Sequence, residues 1–197
     1  MTSTHAPLAL AAPRTSPTAY RIALVLAGSL LLTLSAKIQI PFWPVPMTMQ
    51  PYVVLVLGMA LGPRLGTAAV VLYMLQGALG LPVFAGTPEK GIGLAYMAGP
   101  TGGYLAGFVL AAAATGLMAG RGLDRHPLGA LLTATVGMVI IYACGLVWLS
   151  SLIGWNKAVA FGALPFMLGD ALKILLAMVT LPLAWRALGR RTGAPSS

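Results

Sequence analysis

In the run FMLGDALKILLAMV near the carboxyl end, Asp170 and Lys173 stand three residues apart among apolar neighbours. On a helix that spacing projects both side chains from adjacent positions on one face. Each ionised group inside a bilayer costs on the order of 3 kcal/mol on insertion scales, which makes such residues candidates for function. The alternative is a mutually neutralising pair that staples a helix bundle. A buried ion pair is a poor stabiliser beside apolar packing, however, because desolvation offsets its attraction. A proton relay would need further titratable groups in the spans, and no other apolar stretch supplies an acid. The pair therefore reads as a recognition element for a polar ligand.

Neutral polar residues that could share a pocket with it are Gln50, Gln76, Thr101 and Tyr142. Gln76 could equally bond another helix, and Tyr142 could be an interfacial or packing aromatic. No catalytic set emerges: there is no Ser/His/Asp grouping, no HExxH, no paired carboxylates and no Walker A lysine. Cys144 is the lone cysteine, and His5 and His126 are the lone histidines, so a metal centre is not expected. The chain reads as a binding protein rather than an enzyme, with no cofactor. If ATP drives it, another chain hydrolyses it.

The elements that position these residues must be membrane helices. Hydrophobic residues make up 58% of the 197 and charged residues 8%, with three acids (Glu89, Asp124, Asp170) against twelve bases. Mean hydropathy is +0.90. A soluble domain needs roughly a quarter charged residues to wet its surface, so lipid must cover this one. The net charge of +9 does not point to nucleic acid, because the bases fall in short breaks between apolar stretches instead of forming a patch. Six stretches predict an all-α protein of six transmembrane helices: about 20–38, 48–61, 65–81, 101–119, 128–152 and 159–188. Pro63-Arg64 allows only a tight turn, so the second and third should pair antiparallel. Residues 1–19, rich in Thr, Ser, Ala and Pro, read as a disordered tail, and 190–197 as a short one. The run ending Leu34-Ser35-Ala36 could imitate a signal peptide, but the tail before it is long for one.

Cations give sidedness. With the amino terminus inside, eight arginines (14, 21, 64, 121, 125, 186, 190, 191) face the cytoplasm and three lysines (37, 90, 157) face out. Both termini are thus expected on the cytoplasmic side of the inner membrane. Two external segments are unusual. Residues 40–52, IPFWPVPMTMQPY, carry four prolines and should be extended chain. Residues 81–104 carry six glycines. Apolar, glycine-rich chain at membrane depth is tolerated where protein or a cavity covers it. These are either interfacial loops anchored by aromatics or lids over a pocket.

Small residues at spacing four, Ala23 and Ala27, leave a strip on the first helix where another helix can approach closely. The stretches PVPMTMQ (44–50), GLPVFAG (80–86) and GPTGGYLAGF (99–108), with DALK at 170–173, resemble the BioY family of biotin-binding S components of energy-coupling-factor (ECF) transporters. The resemblance spans about 20–188, while GTPEKG (86–91) departs from the glycine-richer version expected. It implies six helices and a biotin pocket near the outer face, closed by the loops between helices one and two and between three and four. It implies partners as well: a transmembrane T component and two ATPase subunits, docked through Ala23 and Ala27. The substrate-binding set it suggests, with the polar residues above, is Asp170, Lys173, Gln50, Gln76, Phe84, Lys90, Thr101, Tyr104 and Tyr142. Asp170 would accept from a ureido N–H of biotin and Lys173 would donate to a ligand oxygen. The sequence is compatible with a homo-oligomer. Rival readings are an S component for another vitamin, an assembly subunit, and a membrane-embedded enzyme.

Overall fold

A computed structural model describes residues 17–191, all of which lie in helices or short connections apart from one two-residue-stranded hairpin. The predicted tails fall mostly outside that range. Inside it, Pro17 already begins the first helix and Arg191 ends the last. The helices are α1 (Pro17–Lys37), α2 (Gln50–Ala78), α3 (Gly93–Met97), α4 (Gly102–Ala119), α5 (Pro127–Ile153), α6 (Trp155–Gly162) and α7 (Met167–Arg191). Five helical segments are long and apolar enough to cross a membrane, with α6 and α7 forming one of them.

Helix α2 is one element by hydrogen bonding but two by shape. Gly62 sits at φ 78°, ψ 177°, which breaks the helix and suits only a residue without a Cβ. Pro63 follows, its fixed φ suited to a helix start. The chain folds back there. A Cβ on Gly66 would lie 2.6 Å from the Leu57 carbonyl oxygen, and Gln50 bonds Tyr73. The arms 50–61 and 63–78 are thus the expected antiparallel pair, with the turn made one residue earlier than Pro63-Arg64.

Helix α4 lies at the centre, packed on α2 and α5, while α1 rests on α2 and α7 on α5 and α2. Small residues set these distances. A Cβ on Gly58 would sit 2.6 Å from the Ala112 carbonyl oxygen, and one on Gly116 2.5 Å from the Pro63 nitrogen. Such close backbone approach replaces the hydrophobic drive that lipid cannot supply. Outward faces stay apolar, as Leu26, Leu30, Val139, Val147, Leu172 and Val179 show. Exposed apolar surface on that scale is the face a bilayer covers.

Three expectations change. Residues 40–52 are not simply extended: β1 (Gln39–Ile40) pairs antiparallel with β2 (Met47–Thr48), and helix resumes at Gln50 with Pro51 in its first turn. Proline is welcome there because first-turn N–H groups have no helical partner anyway. The stretch 159–188 is not one helix. It breaks at Ala163, and a short turn Leu164–Phe166 containing Pro165 starts the next. Asp170 consequently lies in the first turn of α7, at the loop end of the bundle instead of mid-span. Finally, Asp124, in the break between two apolar stretches, is 2% exposed, so Asp170 is not the one buried carboxylate among the described residues.

Candidate functional site

The break before α7 gives Asp170 its setting. First-turn N–H groups lack helical partners and carry the positive end of the helix dipole, which favours a carboxylate there. Lys173, one turn on, reaches Oδ1 with its Nζ at 2.6 Å, and the Tyr142 hydroxyl of α5 donates to Oδ2. Asp170 and Lys173 are each 6% exposed. The pair is buried, but it fronts a cavity that the segments 38–49 and 79–101 and helices α2, α4 and α5 help to line.

Gln50, the first residue of α2, lines the same cavity. Its backbone N–H and side chain meet Thr48 Oγ1, and its Nε2 donates to the Tyr73 hydroxyl at 2.7 Å. The Tyr73 hydroxyl in turn donates a hydrogen bond to the Val83 carbonyl at 3.3 Å. Phe84 forms the next wall. Its ring is fully buried, stacked on Tyr96 at 4.8 Å and edge-on to Tyr73 at 5.4 Å. Gly77 makes room for it, since a Cβ there would fall 2.0 Å from the ring. The Tyr96 hydroxyl donates to the Ala85 carbonyl at 2.8 Å. Burial pushes that phenol above the usual tyrosine range, with Thr101 pulling weakly the other way, so it stays a donor. Tyr104 shows the cavity its ring, while its hydroxyl donates to the Gly162 carbonyl at 2.8 Å and ties α4 to α6. The proline-rich segment closes the site with Val45 and Met47, its Phe42 set edge-on to Phe166 at 5.8 Å.

Of the nine residues expected to bind substrate, the structure brings seven to this cavity: Asp170, Lys173, Gln50, Phe84, Thr101, Tyr104 and Tyr142. Two stand elsewhere. Gln76 accepts from Ser29 Oγ at 2.6 Å, the helix-to-helix bond that was its other reading. Lys90 is exposed and lies over Gly86 on the loop surface, because a turn from Pro88 to Gly91 directs it away. Ala23 and Ala27 are exposed on α1, on a face no other described element covers. Sequence reasoning passed over Tyr73, Tyr96, Phe108 and Phe166, all at the cavity wall. Tyr73 had a signal, being the one aromatic in the apolar run 65–81.

The chemistry is that of recognition. A paired carboxylate and ammonium, an amide and aromatic rings line one cavity, which suits a small ligand with polar groups and an apolar body.

Comparisons with known proteins fit this geometry. The chain is 39% identical over 82% of its length to a probable biotin transporter BioY of Pyrococcus horikoshii, 93% of which is covered. It is 40% identical over 75% of its length to the biotin transporter BioY of Thermotoga maritima, covering 85% of that protein. A crystal structure of the S-component for biotin from an ECF-type ABC transporter shares the fold. It matches with a TM-score of 0.75 over 89% of this chain and 95% of that one, at 24% identity. The family model for BioY matches residues 7–190, nearly the whole chain and every element described above, and the protein belongs to the BioY family.

Proposed function

We propose that this protein binds biotin and mediates its uptake across the cytoplasmic membrane as the S component of an ECF-type transporter. The observation that carries the reading is the Asp170–Lys173 pair fronting an aromatic cavity that Gln50 also lines. Biotin offers a ureido group with donors and an acceptor, a carboxylate, and an apolar sulfur ring between them. Each has a complement here. Asp170 accepts from a ureido N–H, Lys173 donates to a ligand oxygen, and Phe84, Tyr96 and Tyr104 cover the ring. Biotin is cargo in this scheme, and binding makes or breaks no covalent bond.

The fold-back at Gly62 supports a crossing by each arm of α2, which makes six crossings, with the segments 38–49 and 79–101 on the outer side. Both termini then lie in the cytoplasm, in keeping with the eight-to-three division of cations. Energy would come from a T component and two ATPase subunits, docked on the exposed Ala23 and Ala27 strip.

Biotin titration of the purified chain tests the first claim: saturable, tight binding is expected, and none would defeat it. A pull-down of the tagged chain from its native membrane tests the second. ATPases should co-purify, and Ala23→Trp or Ala27→Trp should release them while biotin binding persists. Assembly unchanged in both variants would remove the docking strip.

A further inference from the structure

Lys37, the last residue of α1, takes no part in the cavity, yet its ammonium is among the most heavily bonded groups in the molecule. Nζ donates to the carbonyls of Pro82 at 2.8 Å, Phe84 at 3.1 Å and Thr87 at 3.3 Å, and to Thr87 Oγ1 at 3.2 Å. An ammonium has three protons for these four acceptors, so they share it. The intervening carbonyls turn the other way, that of Val83 to the Tyr73 hydroxyl and that of Ala85 to the Tyr96 hydroxyl. The segment 82–87 is therefore gripped from two sides, by phenols within the site and by one cation outside it. Thr87 Oγ1 also donates to the Phe84 carbonyl at 2.7 Å, which joins the grip to the residue whose ring forms the wall.

We propose that Lys37 is a positioning residue for the ligand site, a latch that holds the Phe84 wall closed from the end of α1. This rests on the reading of the cavity as the biotin site. Without the ammonium, the Pro82 and Thr87 carbonyls lose this donor, while the Phe84 carbonyl keeps only the Thr87 hydroxyl and N–H, and the carbonyls left bare seek water. The segment then loses its outer hold, and Phe84 swings more often from Tyr96. The consequence falls on ligand release more than on encounter, because the wall must open for ligand to leave. The cage is also shaped for a replaceable cation: Lys37→Ala leaves a vacancy the length of n-propylammonium.

The test uses full-length protein in lipid nanodiscs, unmodified and as Lys37→Ala. Lys37 and Pro82 are exposed, while the Lys37 bonds to Phe84 and Thr87 are half-buried. Losing a charged donor from such acceptors should make biotin release from Lys37→Ala up to roughly tenfold faster. Millimolar n-propylammonium should restore slow release, whereas tetramethylammonium, a cation without N–H donors, should not. Backbone hydrogen exchange without ligand should rise over 82–90 and stay unchanged in α5. Release at the unmodified rate overturns the latch, as does unchanged exchange over 82–90. Rescue by neither cation, or by both alike, overturns the donor cage. Failure of the unmodified protein to bind biotin would instead defeat the functional reading, with the exchange measurement still deciding the latch.

Discussion

Helix α7 touches a buried aspartate near each end, and the two acids are housed differently. At one end its own Asp170 pairs with Lys173 and Tyr142 on the wall of a cavity. About fifteen residues on, a distance of roughly 22 Å along a helix, Trp185 donates Nε1–H to Asp124 Oδ2 at 2.5 Å, and the Arg125 guanidinium lies 5.0 Å from the Trp185 ring centre. Asp124 is the more buried of the two, at 2% exposed. Burial of a charge therefore does not by itself mark a site. What separates them is the company: a cavity with unfilled space beside one carboxylate, and around the other an indole that stitches the 123–125 turn to α7. The first arrangement can exchange a partner for a ligand. The second fastens the bundle.

The largest expected effect breaks the first end. Lys173→Met leaves Asp170 without its cation and removes a donor to the ligand. Truncating one member of a buried charge pair costs roughly 2–5 kcal/mol, so biotin affinity should fall about 30-fold to several thousand-fold at 1.4 kcal/mol per decade. Asp170→Asn keeps the shape and one acceptor and should lose less than Asp170→Ala. Biotin titration gives the affinities, with thermal unfolding alongside to show the variants folded. Unmodified affinity in folded Lys173→Met would make the two ends alike, both structural.

A smaller effect, of opposite kind, is expected at the other end. Asp124→Asn keeps an acceptor for Trp185 but removes the charge, so it should lower stability by about 1.5 kcal/mol, the low end of the range for hydrogen bonds to charged groups. Biotin affinity should stay within about twofold, because no element of the cavity moves. An affinity loss as large as that of Lys173→Met would show the two ends to be coupled through α7, and the contrast would fall.

How far the sequence shows this contrast depends on what each residue's neighbours announce. Asp170 and Lys173 sit in apolar chain at helical spacing, where charges are costly and call for a ligand or for each other. Asp124 sits beside Arg121, Arg125 and His126, which reads as a wet loop. Its burial depends on Trp185, sixty-one residues away, and no local pattern carries that. Gln76 has the same difficulty. A lone amide in a span must find a partner, but a cavity and Ser29 of α1 satisfy it equally, and only the packing of α1 on α2 decides. The helices were legible from hydropathy, down to a tight turn within α2. The break at 163–166 was not, although Pro165 was its signal. Apolar composition runs on through it, and the break shows only in the folded chain, where Phe166 meets Phe42.

The smallest effect sharpens the comparison most. Trp185→Phe keeps an aromatic face for Arg125, a contact worth about 0.5–1 kcal/mol at an exposed site, and deletes only the Nε1–H that reaches Asp124. The loss should be about 1 kcal/mol, read as a fall of a few degrees in the unfolding midpoint. Biotin affinity should not change. If the indole N–H and the charge on Asp124 act together, the double variant Asp124→Asn with Trp185→Phe should lose less than the sum of the two singles. Residues in one hydrogen bond show such coupling, whereas independent sites add. A purely additive result would mean that the indole packs beside the acid without stabilising its charge. Arg125→Gln, which removes the cation over the Trp185 ring, would then test whether that cation holds this end instead.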